Sequence, residues 1–195
     1  MINLSEKFKS HRILLGSASP RRKQLLTDLE IPFEVLQFSV EESYPANLKR
    51  ESVALYLASL KAAAGKNFIQ DNDLLITADT IVWLDPEVLN KPADAAEAKR
   101  MLYRLSGKTH EVITGVSISD VKKSSSFYAV TEVTFKSLLE EEIDWYISKY
   151  KPFDKAGSYG IQEWIGQIGI EKINGSYTNV VGLPLSDLYA ELKRF

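Results

Sequence analysis

The sequence predicts an α/β fold built on a mixed sheet, and three observations carry that expectation. Short apolar, strand-like runs alternate along the chain with segments whose apolar residues recur at the 3.6-residue period of a helix. Two β-branched segments, Val112 to Ile118 and Phe127 to Phe135, flank a Lys/Ser stretch and read as an antiparallel pair, so the sheet is not purely parallel. No Pro-, Gly- or Ser-rich linker divides the 195 residues, so a single domain over residues 1–195 is expected.

The elements follow in order. Ile13 to Gly16 is a short apolar run, and Ser19-Pro20 opens a helix carrying Leu25, Leu26 and Leu29. The serine can accept from a free amide of the first turn, and proline's missing N–H costs nothing there. Phe33 to Phe38 is strand-like. Asn47 is placed to cap a long helix with the apolar stripe Val53, Leu57, Leu60 and Ala64. Leu74 to Ala78 is a compact apolar strand. Asp94 starts a helix through Met101, Leu102 and Leu105 that ends at Gly107. Ser124 to Ser126, after Lys122 and Lys123, read as the hairpin loop. A helix from Glu140 to Tyr150 precedes a Gly-rich stretch, Lys155 to Gly182, and a last helix runs from Leu185 to Leu192.

Composition removes several classes of chemistry. Lysine and arginine number 24 against 26 acids, a net charge of −2. The whole molecule therefore does not attract nucleic acid or an anionic membrane, and any anionic ligand must meet a local basic cluster. With no cysteine, disulfides, thiolate zinc sites and thiol nucleophiles are excluded. His11 and His110 are the only histidines, which excludes a three-His metal site. Met1 to Arg12 lacks the apolar core of a secretory signal, and no run approaches the ~18 residues of a membrane span. The expected location is the cytoplasm.

Three segments carry chemical signal. In Gly16-Ser-Ala-Ser-Pro-Arg-Arg22 the first helical turn holds Arg21, Arg22 and Lys23, with no carboxylate before Asp28. Cations repel the positive end of a helix dipole unless an anion lies there, so free amides plus two guanidiniums describe a phosphate site. A solvated basic helix start fits the same residues. In Leu74-Leu-Ile-Thr-Ala-Asp79-Thr80 an apolar strand ends in an acid, at the carboxyl edge where α/β sheets bind ligands; a cap for the next element is the alternative. Glu41 and Glu42 follow another strand end, and with Asp79 they could hold a divalent cation against phosphate oxygens. Lys61 borders the apolar stripe of its helix, where a snorkelling lysine is equally natural, and Lys91 sits in a loop where plain surface is the simpler reading. The glycines of Asp154-Lys-Ala-Gly-Ser-Tyr-Gly-Ile-Gln162 allow close backbone approach to a ligand or simply tight turns. A Ser/His/Asp triad would have to use His110 without any nucleophile-elbow motif.

The ordered set S-A-S-P-R-R, A-D-T-I-V, L-N-K-P, L-S-G-K-T-H, D-K-A-G-S-Y-G-I-Q and G-S-Y-T-N-V-V-G-L-P-L resembles the Maf family over about residues 12 to 192, leaving residues 1–11 as an N-terminal extension. The family comprises nucleoside triphosphate pyrophosphatases earlier described as septum-formation inhibitors. The resemblance implies a central twisted mixed sheet flanked by helices, two lobes around an active-site cleft, and a homodimer. It implies hydrolysis of a nucleoside triphosphate to monophosphate and pyrophosphate with Mg²⁺ or Mn²⁺. By motif, Asp79 corresponds to the proton acceptor, and Arg21, Arg22, Lys61 and Lys91 to phosphate-binding cations. Glu42 corresponds to the acid that joins Asp79 at the metal. Arg21, Thr80 and Gln162 mark the branch that resembles dTTP/UTP pyrophosphatases. Gly16 stands where alanine is usual, and Glu163-Trp164 replaces smaller residues beside Gln162.

The chemistry fits such a set. Water attacks the α-phosphorus while pyrophosphate leaves, and catalysis is mostly positioning and charge stabilisation. Ser19 at the helix terminus and the four cations would hold the phosphates, Asp79 would deprotonate water, and the Gln162 amide would meet O4 and N3–H of uracil or thymine. Two other readings compete: a pyrophosphatase for non-standard purine or modified nucleotides, and a nucleotide-sensing module acting on cell division.

Overall fold

The computed structural model of the chain describes residues 4–195. Its elements are α1 (Leu4–Lys7), β1 (Arg12–Leu15), α2 (Pro20–Asp28), β2 (Glu34–Val35), α3 (Glu51–Gly65), β3 (Asp73–Leu84), β4 (Glu87–Leu89), α4 (Ala95–Leu105), β5 (Thr109–Ser119), β6 (Ser124–Phe135), α5 (Glu140–Tyr150), α6 (Trp164–Gly169), β7 (Ile170–Asn174), α7 (Tyr177–Val181) and α8 (Leu185–Arg194). Among the described residues seven strands form one sheet, in the order β2-β1-β3-β5-β6-β7, with β4 paired to the far end of β3. β1 pairs parallel with β2 and β3, and the other pairings are antiparallel, which makes the sheet mixed as expected. Among the described residues no helix is long and apolar enough to cross a membrane.

β3 organises the rest because it is covered on both faces. Successive side chains of a strand point to opposite faces. Leu74, Ile76 and Ala78 join Leu25 and Leu26 of α2 and Leu188 and Leu192 of α8 in one core. Further along the same face, Val82 packs with Leu102, Ile143 and Ile165 of α4, α5 and α6 in a second core. On the opposite face Ile81 and Trp83 meet Val53, Ala54 and Leu57 of α3. Val181 of α7 packs against both cores of the first face and is one of the residues that line the cavity described below.

Several expectations about individual elements need correction. The strand expected over Phe33 to Phe38 is only Glu34–Val35, because it pairs with the end of a four-residue β1. Phe38 instead turns inward against Gly16 and Gly65 and stacks on Phe68. Asn47 does not cap α3; the helix starts at Glu51 after Arg50 at φ 49°, with no side-chain cap. The hairpin turn is Asp120–Lys123, where Asp120 Oδ1 accepts both the Lys122 and Lys123 amides at 2.6 Å. Ser124 to Ser126 are therefore strand, paired with Ser119, Ile118 and Ser117. The Gly-rich stretch holds α6, β7 and α7. Of the expected N-terminal extension, residues 1–3 lie outside the described residues, and Leu4 and Phe8 are buried in the first core.

Asp79 is also placed differently. β3 continues five residues past it, so it lies within the strand rather than at its carboxyl end. Parallel pairing with β1 nevertheless stops at Ile76, so Asp79 and Thr80 lie past the carboxyl end of β1, on a stretch of β3 edge that β1 leaves unpaired. The ligand rule for parallel strands then applies to β1 and its loop.

Gly115 sets the distance of α3 from this point. It pairs with Asp79 across β3 and β5, and a Cβ there would lie 2.4 Å from the Ala54 carbonyl carbon and oxygen. Those are backbone atoms of α3, so the methyl cannot be accommodated by a side-chain rotation. We predict that Gly115→Ala destabilises the fold by about 1–3 kcal/mol, the usual cost of overpacking. A denaturant midpoint that stays unchanged would contradict so close an approach of helix to sheet.

His110 on β5 makes a second stability statement. It is buried between Phe135 and Tyr159, with Nε2 2.7 Å from the Tyr159 hydroxyl and Nδ1 unpartnered among the described residues. Burial pushes its pKa down from 6.5 to about 3. Between these values the unfolded chain binds a proton that the folded chain refuses. This contribution to stability is full above pH 6.5 and falls by up to about 1.4 kcal/mol per pH unit as pH drops towards 3. His110→Phe should flatten the acid limb of the stability curve by that slope; an identical limb would contradict the assignment.

Candidate active site

The start of α2 forms as its sequence suggests. Ser19, in extended conformation, accepts the Arg22 amide on Oγ at 3.4 Å, Pro20 is the first helical residue, and the first turn holds no acid. Its two arginines then part. Arg21 donates from Nη1 to Asp154 Oδ2 at 2.7 Å. Arg22 turns inward and meets only neutral oxygens: the Gly182 carbonyl at 2.8 Å, Ser17 Oγ at 3.3 Å and Thr80 Oγ1 at 3.0 Å. Gly182 can offer that carbonyl because it ends α7 at φ 130°, a conformation suited to glycine. Burial lowers the pKa of Arg22, against the opposing charge of Asp79; Arg21 adds to the lowering and Glu42 opposes it.

Thr80 fixes this guanidinium. Thr114 gives its proton to the Asn179 carbonyl at 3.1 Å, so its oxygen accepts from Thr80 at 2.9 Å, leaving the Thr80 oxygen to accept from Arg22. Thr80 and Asp79, adjacent on β3, therefore act on opposite faces.

On the α3 face a second polar cluster forms. Lys61 reaches inward rather than snorkelling, its side chain 11% exposed, with Nζ 2.5 Å from Asp79 Oδ1 and 2.8 Å from Glu42 Oε1. Lys91 sits on the other Glu42 oxygen at 3.2 Å, so it is not plain surface despite its exposure. Burial alone would raise the Glu42 pKa, but the hydrogen bond and charge of Lys61, joined by Lys91, hold it below the ordinary value. Asp79 Oδ2 makes no hydrogen bond among the described residues. Asp79 caps nothing. It is a carboxylate with one oxygen anchored and one available to the cavity.

Gln162 follows a tight turn containing Gly157 at φ 68° and Ser158 at φ 62°. Its side chain is exposed at the cavity wall and makes no hydrogen bond among the described residues. The neighbouring Glu163 and Trp164 are not among the residues that line this cavity. Glu163 Oε1 is bound by Lys155 at 3.1 Å and its other oxygen by the Tyr146 hydroxyl, while Trp164 packs on Trp145 with ring centroids 4.5 Å apart. Gly16 also has a local reason: a Cβ there would lie 2.8 Å from Thr77 Cγ2 and 3.0 Å from the inward-turned Phe38 ring.

Nine residues assigned site roles from the sequence line one cavity of about 800 Å³: Ser19, Arg21 and Arg22 from the β1–α2 turn and the start of α2, and Glu42, Lys61, Asp79, Thr80, Lys91 and Gln162 from five other segments; Glu41, offered beside Glu42 as a cation ligand, does not line it. Asp154 and Lys155 line it too and were not singled out. Their signal was available, an acid and a base directly before the Gly157 turn, but their partners Arg21 and Glu163 are identified only by the fold. Among the described residues no group of three or more His, Cys, Asp or Glu is arranged to hold a metal ion.

Comparison with known proteins bears on this arrangement. A dTTP/UTP pyrophosphatase of Phocaeicola vulgatus is 56% identical over 190 residues, covering 97% of this chain and 98% of that one. A protein of the same description from Porphyromonas gingivalis is 53% identical, covering 97% of each chain. Among solved structures, the Staphylococcus aureus Ham1 protein superposes with a TM-score of 0.44 at 16% identity, over 64% of this chain and 71% of that one. Residues 12–195 match the family described as Maf-like protein. With that match and relatives above half identity over nearly their full length, the chain belongs to the Maf family.

Proposed function

We propose that this chain, acting as one domain, hydrolyses dTTP and UTP to the nucleoside monophosphate and pyrophosphate, the activity named for its relatives. The observation that carries the reading is Arg22, a guanidinium drawn into the cavity with no carboxylate within ion-pair distance among the described residues. An inward cation with only neutral partners supports an anionic ligand. The cavity volume is within the ~300–1,000 Å³ usual for small-molecule sites. Five cations line it (Arg21, Arg22, Lys61, Lys91 and Lys155) against three carboxylates (Glu42, Asp79 and Asp154), an excess that suits a triphosphate.

The mechanism uses these groups in place. Ser19 with the α2 amides, Arg21, Arg22, Lys61 and Lys91 hold phosphate oxygens and stabilise charge as the pyrophosphate departs. Asp79 Oδ2 takes a proton from water as the water oxygen bonds to the α-phosphorus. The bond from that phosphorus to the bridging oxygen breaks, and the electron pair leaves with pyrophosphate. Lys61 holds Asp79 on Oδ1 and so directs the free oxygen. The donor set also fits a divalent cation: Glu42 and Asp79 are hard carboxylate oxygens brought to one part of the cavity by Lys61, which binds both and leaves a further oxygen on Asp79. Glu42 and Asp79 would hold Mg²⁺ or Mn²⁺, with phosphate oxygens completing its shell, and the ion would neutralise phosphate charge. Gln162 would pair its amide with O4 and N3–H of the pyrimidine. The same reading carries a homodimer in the cytoplasm.

Pyrophosphate release from a panel of common nucleoside triphosphates, with Mg²⁺, Mn²⁺ or chelator, tests the proposal. Metal-dependent release led by dTTP and UTP is expected; release led by purine triphosphates, or none, would overturn it. Asp79→Asn keeps an acceptor for Lys61 and should lower kcat about 10²–10⁴-fold with nucleotide affinity little changed; near-normal kcat would remove Asp79 as the base. Gln162→Glu replaces an amide donor by an acceptor and should demote dTTP and UTP in the substrate ranking. An unchanged ranking would mean that the base is read elsewhere.

A further inference from the structure

We infer that Lys155 and Glu163 are positioning residues for base discrimination, forming a charged strut that fixes Gln162 relative to Arg21. The inference rests on the reading just given. Its basis is an unbroken chain of contacts from the phosphate end of the cavity to the base end. Arg21 Nη1 donates to Asp154 Oδ2 at 2.7 Å, and Lys155 Nζ holds Asp154 Oδ1 at 2.8 Å. The same ammonium lies 3.1 Å from Glu163 Oε1, and Tyr146 donates its hydroxyl to Glu163 Oε2. The Tyr146 oxygen then accepts the Gly160 amide at 3.1 Å. Charge alternates along the four side chains from Arg21 to Glu163, and Tyr146 closes the far end.

This strut brackets Gln162. Gly160 is bound two residues before it and Glu163 one residue after, while the Gln162 amide has no hydrogen bond of its own among the described residues. The position of the amide is thus set by its neighbours. The contact is close: a Cβ at Gly160 would lie 2.8 Å from Glu163 Cδ, so the loop folds directly over the carboxylate. Tyr146 is fully buried, and the Lys155 side chain is 9% exposed. Burial tends to raise the pKa of Asp154, yet Lys155 and Arg21 together hold it below the ordinary value, so the carboxylate remains charged between them.

Stability alone does not account for this arrangement: the two pairs through Asp154, 58% exposed, return little in contact with water, and the largely buried Lys155–Glu163 pair costs about as much in desolvation as it returns in attraction. What it supplies is geometry. With Lys155 pinned between two carboxylates, the separation of the phosphate-reading Arg21 and the base-reading Gln162 is fixed. A pyrimidine triphosphate must match that separation, and a purine, one ring longer, must not.

The test compares kcat and KM for dTTP and dGTP in the unmodified chain and in Glu163→Gln, Lys155→Met and Tyr146→Phe. Glu163→Gln keeps volume and an acceptor for Tyr146 but removes the charge facing Lys155. We expect KM for dTTP to rise about tenfold, kcat to change less than about threefold, and the dTTP-to-dGTP ratio of kcat/KM to fall about tenfold. Asp154→Asn and Glu163→Gln should also combine non-multiplicatively, by about threefold or more, although their side chains do not touch. Should Lys155→Met fail to fold, Glu163→Gln and Tyr146→Phe carry the test. Loss of kcat and KM in parallel for both nucleotides, with the ratio preserved, would make the strut merely structural and overturn the inference. An unmodified chain that releases no pyrophosphate would overturn the underlying reading and this inference with it. An active chain whose variants keep their ranking would overturn the inference alone.

Discussion

The buried ion pair between Lys61 of α3 and Asp79 of β3 is the constraint around which the site is arranged. Two charges with side chains only 11% exposed are held 2.5 Å apart, and removing Lys61 would strand the Asp79 carboxylate at a cost of about 3–5 kcal/mol. The pair forms because α3 lies against the sheet backbone at Gly115, directly across from Asp79. It is extended by Glu42, which takes the second contact of Lys61 and brings Lys91 over the cavity. The carboxylate oxygen left over at Asp79 is what the proposed chemistry uses.

The two-residue period of a strand distributes the remaining tasks. Asp79 faces α3 and the lysines, whereas Thr80 faces α2 and holds Arg22. β1 is too short to pair with β3 beyond Ile76, and that shortness leaves the edge beside both residues open. A protein with a net charge of −2 can thereby present a cavity in which cations outnumber carboxylates. Its attraction for an anion is therefore local to the cavity.

How much of this was legible in the sequence depended on the range of the interaction responsible. Ser19-Pro20 announced α2, and Asp94 announced α4, because capping is settled within four residues. The nine cavity residues were legible through their motifs and family resemblance, since each sits in a short segment of unusual chemistry. Asn47 failed as a cap because Arg50 adopts a positive φ that its sequence does not announce. Phe38 looked like strand, yet it fills space left by Gly16 and Gly65, a contact between segments distant in sequence. The extent of β3 past Asp79 was missed because its partner at Thr80 and Ile81 is β5, more than thirty residues further on. Asp154 and Lys155 escaped for the same reason, and Lys61 could be told from a snorkelling lysine only once Asp79 and Glu42 were in place around it.

The proposed chemistry turns on water being delivered by Asp79 to the α-phosphorus. The most direct test is hydrolysis of dTTP in ¹⁸O-labelled water, with the products separated and weighed by mass spectrometry. The label should appear in the nucleoside monophosphate, with the pyrophosphate unlabelled. Label in the pyrophosphate would mean attack at the β-phosphorus, and the roles derived for Asp79 and the cations around it would then be wrong.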